Sequence, residues 1–237
     1  MIRTFLLSLL LVASTAIAAP VTATSWLVSD EHGKILRQAG DINEVRAIGS
    51  ITKLMTVMVV LDAKQDLNQS IDKFTREQLI QLALVKSDNK AAELLCKSYP
   101  GGKDSCVRAM NMKAQELHMP NTKFVEATGL SVFDVSTADE LVNLVMAAAN
   151  YPIIVQAAHT STAKIKVKKN WLVFHNTNPL IGYNQNIVVS KTGYIRASGG
   201  CLVMMVDTEV GRRILILLGS KNTKTRIPEA VIIMRQE

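Results

Sequence analysis

Ile48-Gly49-Ser50-Ile51-Thr52-Lys53-Leu54-Met55-Thr56 opens an apolar segment that runs through Met58-Val59-Val60-Leu61 to Lys64, the length and composition of one buried helix. Ser50 follows a glycine and stands where that helix begins. Its hydroxyl therefore lies at a helix N-terminus, where the dipole favours developing negative charge. Lys53 is three residues on and shares the face of Ser50. A serine nucleophile needs a base, and a lysine in a dry pocket can lose enough basicity to serve. Alone the pattern says little. Ser-x-x-Lys is expected about once by chance in a chain of this length, and its plain alternative is a capping serine beside a solvated lysine.

Two further triplets lie downstream. Ser87-Asp88-Asn89 sits between two helical patterns, and Lys191-Thr192-Gly193 ends an expected strand. In the second, a cation and a hydroxyl can hold a carboxylate while the glycine lets backbone approach closely. Each has a plain alternative, a helix-cap cluster and a strand-to-turn exit. In this order, however, Ser-x-x-Lys, Ser-Asp-Asn and Lys-Thr-Gly form the set shared by penicillin-binding proteins and class A β-lactamases.

Outward from these motifs the pattern changes twice. Ser25–Ser29 and Lys34–Arg37 read as strands joined by the turn Asp30-Glu31-His32-Gly33. The middle is helical. Thr75-Arg76-Glu77-Gln78 has the form of a capping box, Lys90–Ser98 and Ser105–Leu117 follow, and Ser136 is expected to cap a helix running to Ala149. The final third is strand-like at Lys164–Lys168, Trp171–Phe174, Ile187–Ser190, Leu202–Val206 and Ile214–Leu218, with a terminal helix at Glu229–Arg235. The expectation is an α+β domain whose N- and C-terminal strands share one antiparallel sheet, with a helical subdomain inserted between them.

The chain resembles the low-molecular-mass penicillin-binding proteins, most closely the penicillin-binding protein 7 type of D-alanyl-D-alanine endopeptidase. The likeness runs beyond the triplets to Tyr99-Pro100-Gly101-Gly102, to Asn121 through Ser131, to Asn176-Thr177-Asn178 and to Gly200-Cys201-Leu202-Val203-Met204. It implies a β-lactamase/transpeptidase-like fold and a serine DD-peptidase acting on peptidoglycan stem peptides, with β-lactam antibiotics as covalent inhibitors. On that resemblance Ser50 is acylated, Lys53 takes its proton, and Ser87 relays a proton to the leaving amine. Asn89 would bind the substrate's peptide chain, Lys191 and Thr192 its carboxylate, and Gly193 would admit the backbone. The N–H groups of Ser50 and Tyr194 would form the oxyanion hole. No metal or cofactor is implied, and His32, His118, His159 and His175 show no ligand spacing.

Two departures shape what is expected of specificity. Ser50 and Ser87 are only 37 positions apart, so a segment that relatives carry on the cleft rim is short here. The chain also ends soon after its last strand, without the further domain and amphipathic anchor of the major DD-carboxypeptidases. The first bears on substrate preference and, with the resemblance, points to an endopeptidase, with carboxypeptidase action on free pentapeptides as the alternative. The second argues for an enzyme free of a stable membrane anchor. A class A β-lactamase would need a deacylating glutamate in a Glu-x-x-Leu-Asn context, and no such pentad lies between Ser87 and Lys191. A silent wall-binding module would not need every reactive position filled.

The N-terminus predicts export. Arg3, the apolar run Phe5–Val12 and Ala16-Ile17-Ala18 have the form of a signal peptide over residues 1–18, leaving 19–237 as one peptidase domain in the periplasm. In that oxidising compartment the turn at 99–102 could bring Cys96 and Cys106 into a disulfide, and Cys201 reads as a buried thiol. The formal charge is +7, densest at Lys164, Lys166, Lys168 and Lys169: a solvated strand face, or an attraction to an anionic wall polymer. Aromatic content of 5% argues against nucleic acid as the partner.

Overall fold

A computed structural model describes residues 21–183 and 186–235, so the expected leader lies outside the described residues. Its central sheet is antiparallel, with strands in the order β2-β1-β11-β10-β9. These are β1 (Ser25–Asp30), β2 (Ile35–Ala39), β9 (Ile187–Ile195), β10 (Gly199–Thr208) and β11 (Gly211–Ser220). N- and C-terminal segments thus share one sheet, and β1 pairs with β11 across almost the whole chain. Everything between β2 and β9 is inserted.

The sheet is buried on both faces, which explains why β10 and β11 read as continuous apolar runs rather than alternating ones. Side chains still alternate physically. Cys201, Val203 and Met205 enter the main core with Ile214, Ile216 and Leu218. Leu202, Met204 and Val206 enter a smaller core on the other face with Leu215 and Leu217, closed by Ala230 and Ile233 of α7 (Arg226–Met234). That helix starts three residues earlier than Glu229. Pro228 does not delay it, because proline is tolerated in a helix's first turn.

Helix α1 (Thr52–Asp62) runs through the main core, with Thr52 to Val60 all buried. A helix apolar on every side is a helix surrounded by protein. Around it pack α2 (Arg76–Leu84), α3 (Asn89–Lys97), α4 (Gly102–Glu116), α5 (Ala138–Ala148) and α6 (Pro152–Ala158). The capping box at Thr75 and Gln78 is formed, whereas the cap of α5 is Thr137, not Ser136. Ser136 instead lies on β6 (Val135–Ser136), paired with β3 (Arg46–Ala47). Short hairpins complete the chain: β4 (Ser70–Ile71) with β5 (Phe74–Thr75), and β7 (Thr162–Val167) with β8 (Asn170–His175). The second carries the lysine cluster at its exposed positions and joins no larger sheet.

Cys96 ends α3 and Cys106 lies in the first turns of α4; both are fully buried and their sulfurs are bonded, with Cα atoms 5.4 Å apart. Closing a loop of this size stabilises the fold by about 2–3 kcal/mol through the unfolded chain's lost entropy. The Cys96→Ala, Cys106→Ala double variant is therefore expected to melt roughly 5–10 °C lower. Peptide mapping without reductant checks the bond itself. Two free thiols in the oxidised protein, or an unchanged melting temperature in the variant, would remove this prediction.

Candidate active site

Gly49–Ile51 forms a 3-10 turn that feeds directly into α1, placing Ser50 at the entrance of the core helix and Lys53 one turn inside. Lys53 is fully buried, and its ammonium group has three close acceptors: Ser50 Oγ at 2.8 Å, Asn89 Oδ1 at 2.7 Å and the Thr128 carbonyl at 2.5 Å. Ser50 Oγ also lies 3.5 Å from the same carbonyl. Burial drives the pKa of Lys53 down to about 8, against the opposing pull of Glu126, Asp88 and Asp134.

The Ser-Asp-Asn motif occupies the loop between α2 and α3. Asp88 caps α3, its carboxylate accepting from Ala91 N, so the helix starts at Asn89 and aims that side chain at Lys53. Ser87 is held at φ +60, a conformation that costs a serine about 1–3 kcal/mol. Asp88 N bonds back to the Leu82 carbonyl, and Lys191 Nζ donates to Ser87 Oγ at 2.8 Å.

Lys191, Thr192 and Gly193 do not end a strand. Strand β9 continues to Ile195, because its partner β10 extends through Cys201, Gly200 and Gly199. Lys191 is buried, and burial first, then the nearby charges of Lys53 and Arg226, hold its pKa well below the usual lysine value. Thr192 Oγ1 donates to Thr177 Oγ1 at 2.7 Å. Gly193 packs against the nucleophile's turn: a Cβ there would stand 2.5 Å from the Ile48 carbonyl and 3.2 Å from Ser50 N. Tyr194 N sits against Gly49, while the tyrosine itself is 46% exposed, so its backbone rather than its ring meets the turn.

All three motifs therefore converge. Ser50, Lys53 and Asn89 form one hydrogen-bonded set, and Ser87, Lys191, Thr192 and Thr177 a second set beside it. Asn89 differs in one respect from expectation: its amide oxygen is engaged by Lys53, which leaves only its NH₂ group for a ligand. Other contributors lie outside the three motifs. Thr128 acts through its backbone. Arg226 reaches from α7 to donate to the Gly193 carbonyl at 2.8 Å. Asn178 donates to Ser190 Oγ, supporting the strand from behind. The triplet Asn176-Thr177-Asn178 was the available signal for the last of these.

A cavity of about 600 Å³ bounded by Glu31, His32, Glu116, His118 and Arg212 contains none of these groups. Among the described residues no three His, Cys, Asp or Glu side chains come together to hold a metal ion.

Comparison with known proteins shows the family and the fold. Residues 12–73 and 67–222 match the S11 peptidase family, described as D-alanyl-D-alanine carboxypeptidase. The D-alanyl-D-alanine endopeptidase of Pseudomonas aeruginosa is 37% identical over 235 residues, covering 89% of this chain and 76% of that one. The D-alanyl-D-alanine endopeptidase of Escherichia coli is 38% identical, covering 81% and 69%. In three dimensions, penicillin-binding protein D2 of Listeria monocytogenes, solved with ampicillin bound, superposes with a TM-score of 0.82 at 24% identity, covering 92% of this chain and 97% of that one. That likeness carries the fold.

Proposed function

This chain belongs to the S11 family of D-alanyl-D-alanine peptidases and is a serine-type hydrolase of D-alanyl bonds, and we propose that Ser50 is its nucleophile, Lys53 its base and crosslinked peptidoglycan its preferred substrate. The observation that carries the assignment is the 2.8 Å bond between Lys53 Nζ and Ser50 Oγ inside a buried site that lowers the lysine's pKa to about 8.

The chemistry runs in two halves. Lys53, in its neutral form, takes the Ser50 proton as Oγ attacks the carbonyl carbon of the D-alanyl bond. Negative charge builds on the carbonyl oxygen, opposite the N–H groups of Ser50 and Tyr194. The C–N bond then breaks, and the leaving amine needs a proton. Ser87, bonded to Lys191 and two residues before Asn89, is placed to relay to that amine the proton that Lys53 took, which returns Lys53 to its neutral form. Water then attacks the ester on Ser50, with Lys53 again as base, and returns the free serine. Lys191 and Thr192 hold the substrate's carboxylate, a role that suits a buried cation and hydroxyl on one strand. β-Lactams, whose strained amide stands in for the D-alanyl bond, enter the same first half. The signal-peptide form of residues 1–18 supports action in the periplasm.

The endopeptidase preference rests on the short Ser50–Ser87 interval and on the endopeptidase relatives. A crosslinked dimer and a monomeric pentapeptide differ only in the leaving amine, a second stem peptide in one and D-alanine in the other. With purified enzyme and both substrates at matched concentration, mass spectrometry is expected to show the dimer cleaved faster, roughly tenfold in kcat/KM, a difference of about 1.4 kcal/mol. Faster release of D-alanine from the monomer would make the enzyme a carboxypeptidase. No covalent turnover of either would remove the peptidase assignment altogether.

A further inference from the structure

The Thr128 carbonyl that receives Lys53 belongs to a loop with no regular structure, Glu126 to Asp134, and something must hold it. Glu126 does so through its carboxylate. Oε2 accepts from Thr128 N at 2.6 Å, and Oε1 from Leu130 N at 2.8 Å and more weakly from Ser131 N at 3.4 Å. The same loop presses on the nucleophile. Gly129 has φ +78, and a Cβ there would stand 2.9 Å from Ser50 N and overlap the Gly49 carbonyl. Asp134 closes the loop from its other end. Its Oδ1 accepts from Val125 N at 2.7 Å and Glu126 N at 3.2 Å, while its own carbonyl accepts from Ile48 N. Asp134 is fully buried, and its Oδ2 meets no N–H or O–H donor among the described residues. What Asp134 does face is the Glu126 carboxyl, within side-chain hydrogen-bonding reach.

Two adjacent carboxylates, Asp134 buried and Glu126 half-buried, repel, and an undonated buried oxygen is costly. One proton between them removes both problems. We propose that Glu126 and Asp134 are a proton-sharing carboxyl pair, with the proton on Asp134, that positions the Thr128 carbonyl on Lys53 and sets the charge Lys53 feels. Burial, then the hydrogen bond to Glu126, pushes Asp134 well above the usual carboxylate range. Burial also acts to raise Glu126, but the bonds from Asp134 and Thr128 and the loop's backbone outweigh it and hold Glu126 ionised. Glu126 is the strongest of the charges opposing the effect of burial on Lys53, ahead of Asp88 and Asp134. The other charged groups facing this loop are Glu93 on α3 and Lys103 on α4, across a cavity of about 250 Å³, and Lys191, which bears on Lys53 from β9. None of them supplies a donor to Asp134 Oδ2.

Both are positioning residues, acting through Thr128 and Lys53 rather than on substrate, and the inference rests on Lys53 being the base. Three readouts test it on the purified enzyme. Infrared difference spectroscopy of wild type against Asp134→Asn at pH 7 is expected to show a protonated-carboxyl C=O band lost in the variant. That arm reads the proton whether or not Lys53 is the base. Asp134→Asn, which keeps a donor toward Glu126, is expected to retain penicillin acylation within about threefold, whereas Glu126→Ala loses it by 100-fold or more. Glu126→Gln removes the negative charge and should shift the acid limb of acylation to lower pH, because a less opposed Lys53 loses its proton more easily. A purely structural role moves rates without moving that limb. Absence of the infrared band, an Asp134→Asn protein as impaired as Glu126→Ala, or an unmoved acid limb in Glu126→Gln would each overturn the proposal.

Discussion

Ser50→Ala is expected to take up no penicillin at all, while the wild-type protein gains the full mass of the opened drug. The loss should be the largest of any single substitution, on the order of 10⁴–10⁶-fold in peptidase kcat, because no other group stands where the acyl bond forms. The geometry makes this sharper than the motif does. Ser50 Oγ has Lys53 Nζ at 2.8 Å and sits on the turn against which Gly193 and Gly129 both pack. Thr52 and Thr56 are nearby hydroxyls on the same helix, but both are buried, and Thr56 Oγ1 is already committed to the Ala127 carbonyl. Neither can substitute. Removing one hydroxyl from a half-buried position leaves no cavity of consequence, so the variant should fold and melt as wild type does. Intact-protein mass spectrometry after penicillin treatment decides the matter. An adduct on Ser50→Ala equal to that of wild type would place the nucleophile elsewhere and undo the mechanism.

How much of this was legible beforehand follows from what kind of group does each job. Ser50, Lys53, Ser87, Asn89, Lys191 and Thr192 are side chains in compact motifs, and local spacing displays them. The shared sheet was legible too, because β-branched runs at both ends of the chain need partners and the helical middle offers none. The Thr128 carbonyl was not, since a backbone acceptor leaves no trace in residue type. Nor was the pairing of Glu126 with Asp134, which depends on an irregular loop folding back through Gly129. Arg226 escaped because its target, the Gly193 carbonyl, lies 33 residues away, joined only by packing of α7 beneath the sheet. Residues 46–47 and 135–136 form strands of two residues each, too short for any period to register. The strand end at Lys191 was misplaced for a related reason. Thr-Gly reads locally as an exit, but Gly200 and Cys201 on the neighbouring strand keep the ladder going to Ile195.

Lys53→Arg is the sharpest test of the base. The substitution keeps the positive charge and removes the proton acceptor, since a guanidinium stays charged at any accessible pH. In wild type the acting form is the neutral amine, so acylation should rise with pH and level off above the Lys53 pKa of about 8. Below that value the neutral fraction falls about tenfold per pH unit. The sign is fixed by the chemistry: a base gains activity as it loses its proton. In Lys53→Arg that limb should vanish, and the acylation rate at pH 8 should fall by about 10²–10⁴-fold. Steric fit is a competing explanation, because Lys53 is itself fully buried between Ser50, Asn89 and the Thr128 carbonyl, and a guanidinium is larger than an ammonium group. Lys53→Gln separates the two. It is smaller and neutral, can still donate to Thr128, and cannot accept a proton, so it should be as slow as the arginine variant and equally flat with pH. Stopped-flow acylation by a fluorescent penicillin from pH 6 to 9 gives all three profiles. Near-normal rates in either variant, or a wild-type limb retained in both, would move the base role to the Ser87–Lys191 pair, whose 2.8 Å bond is the next arrangement in the site able to accept a proton.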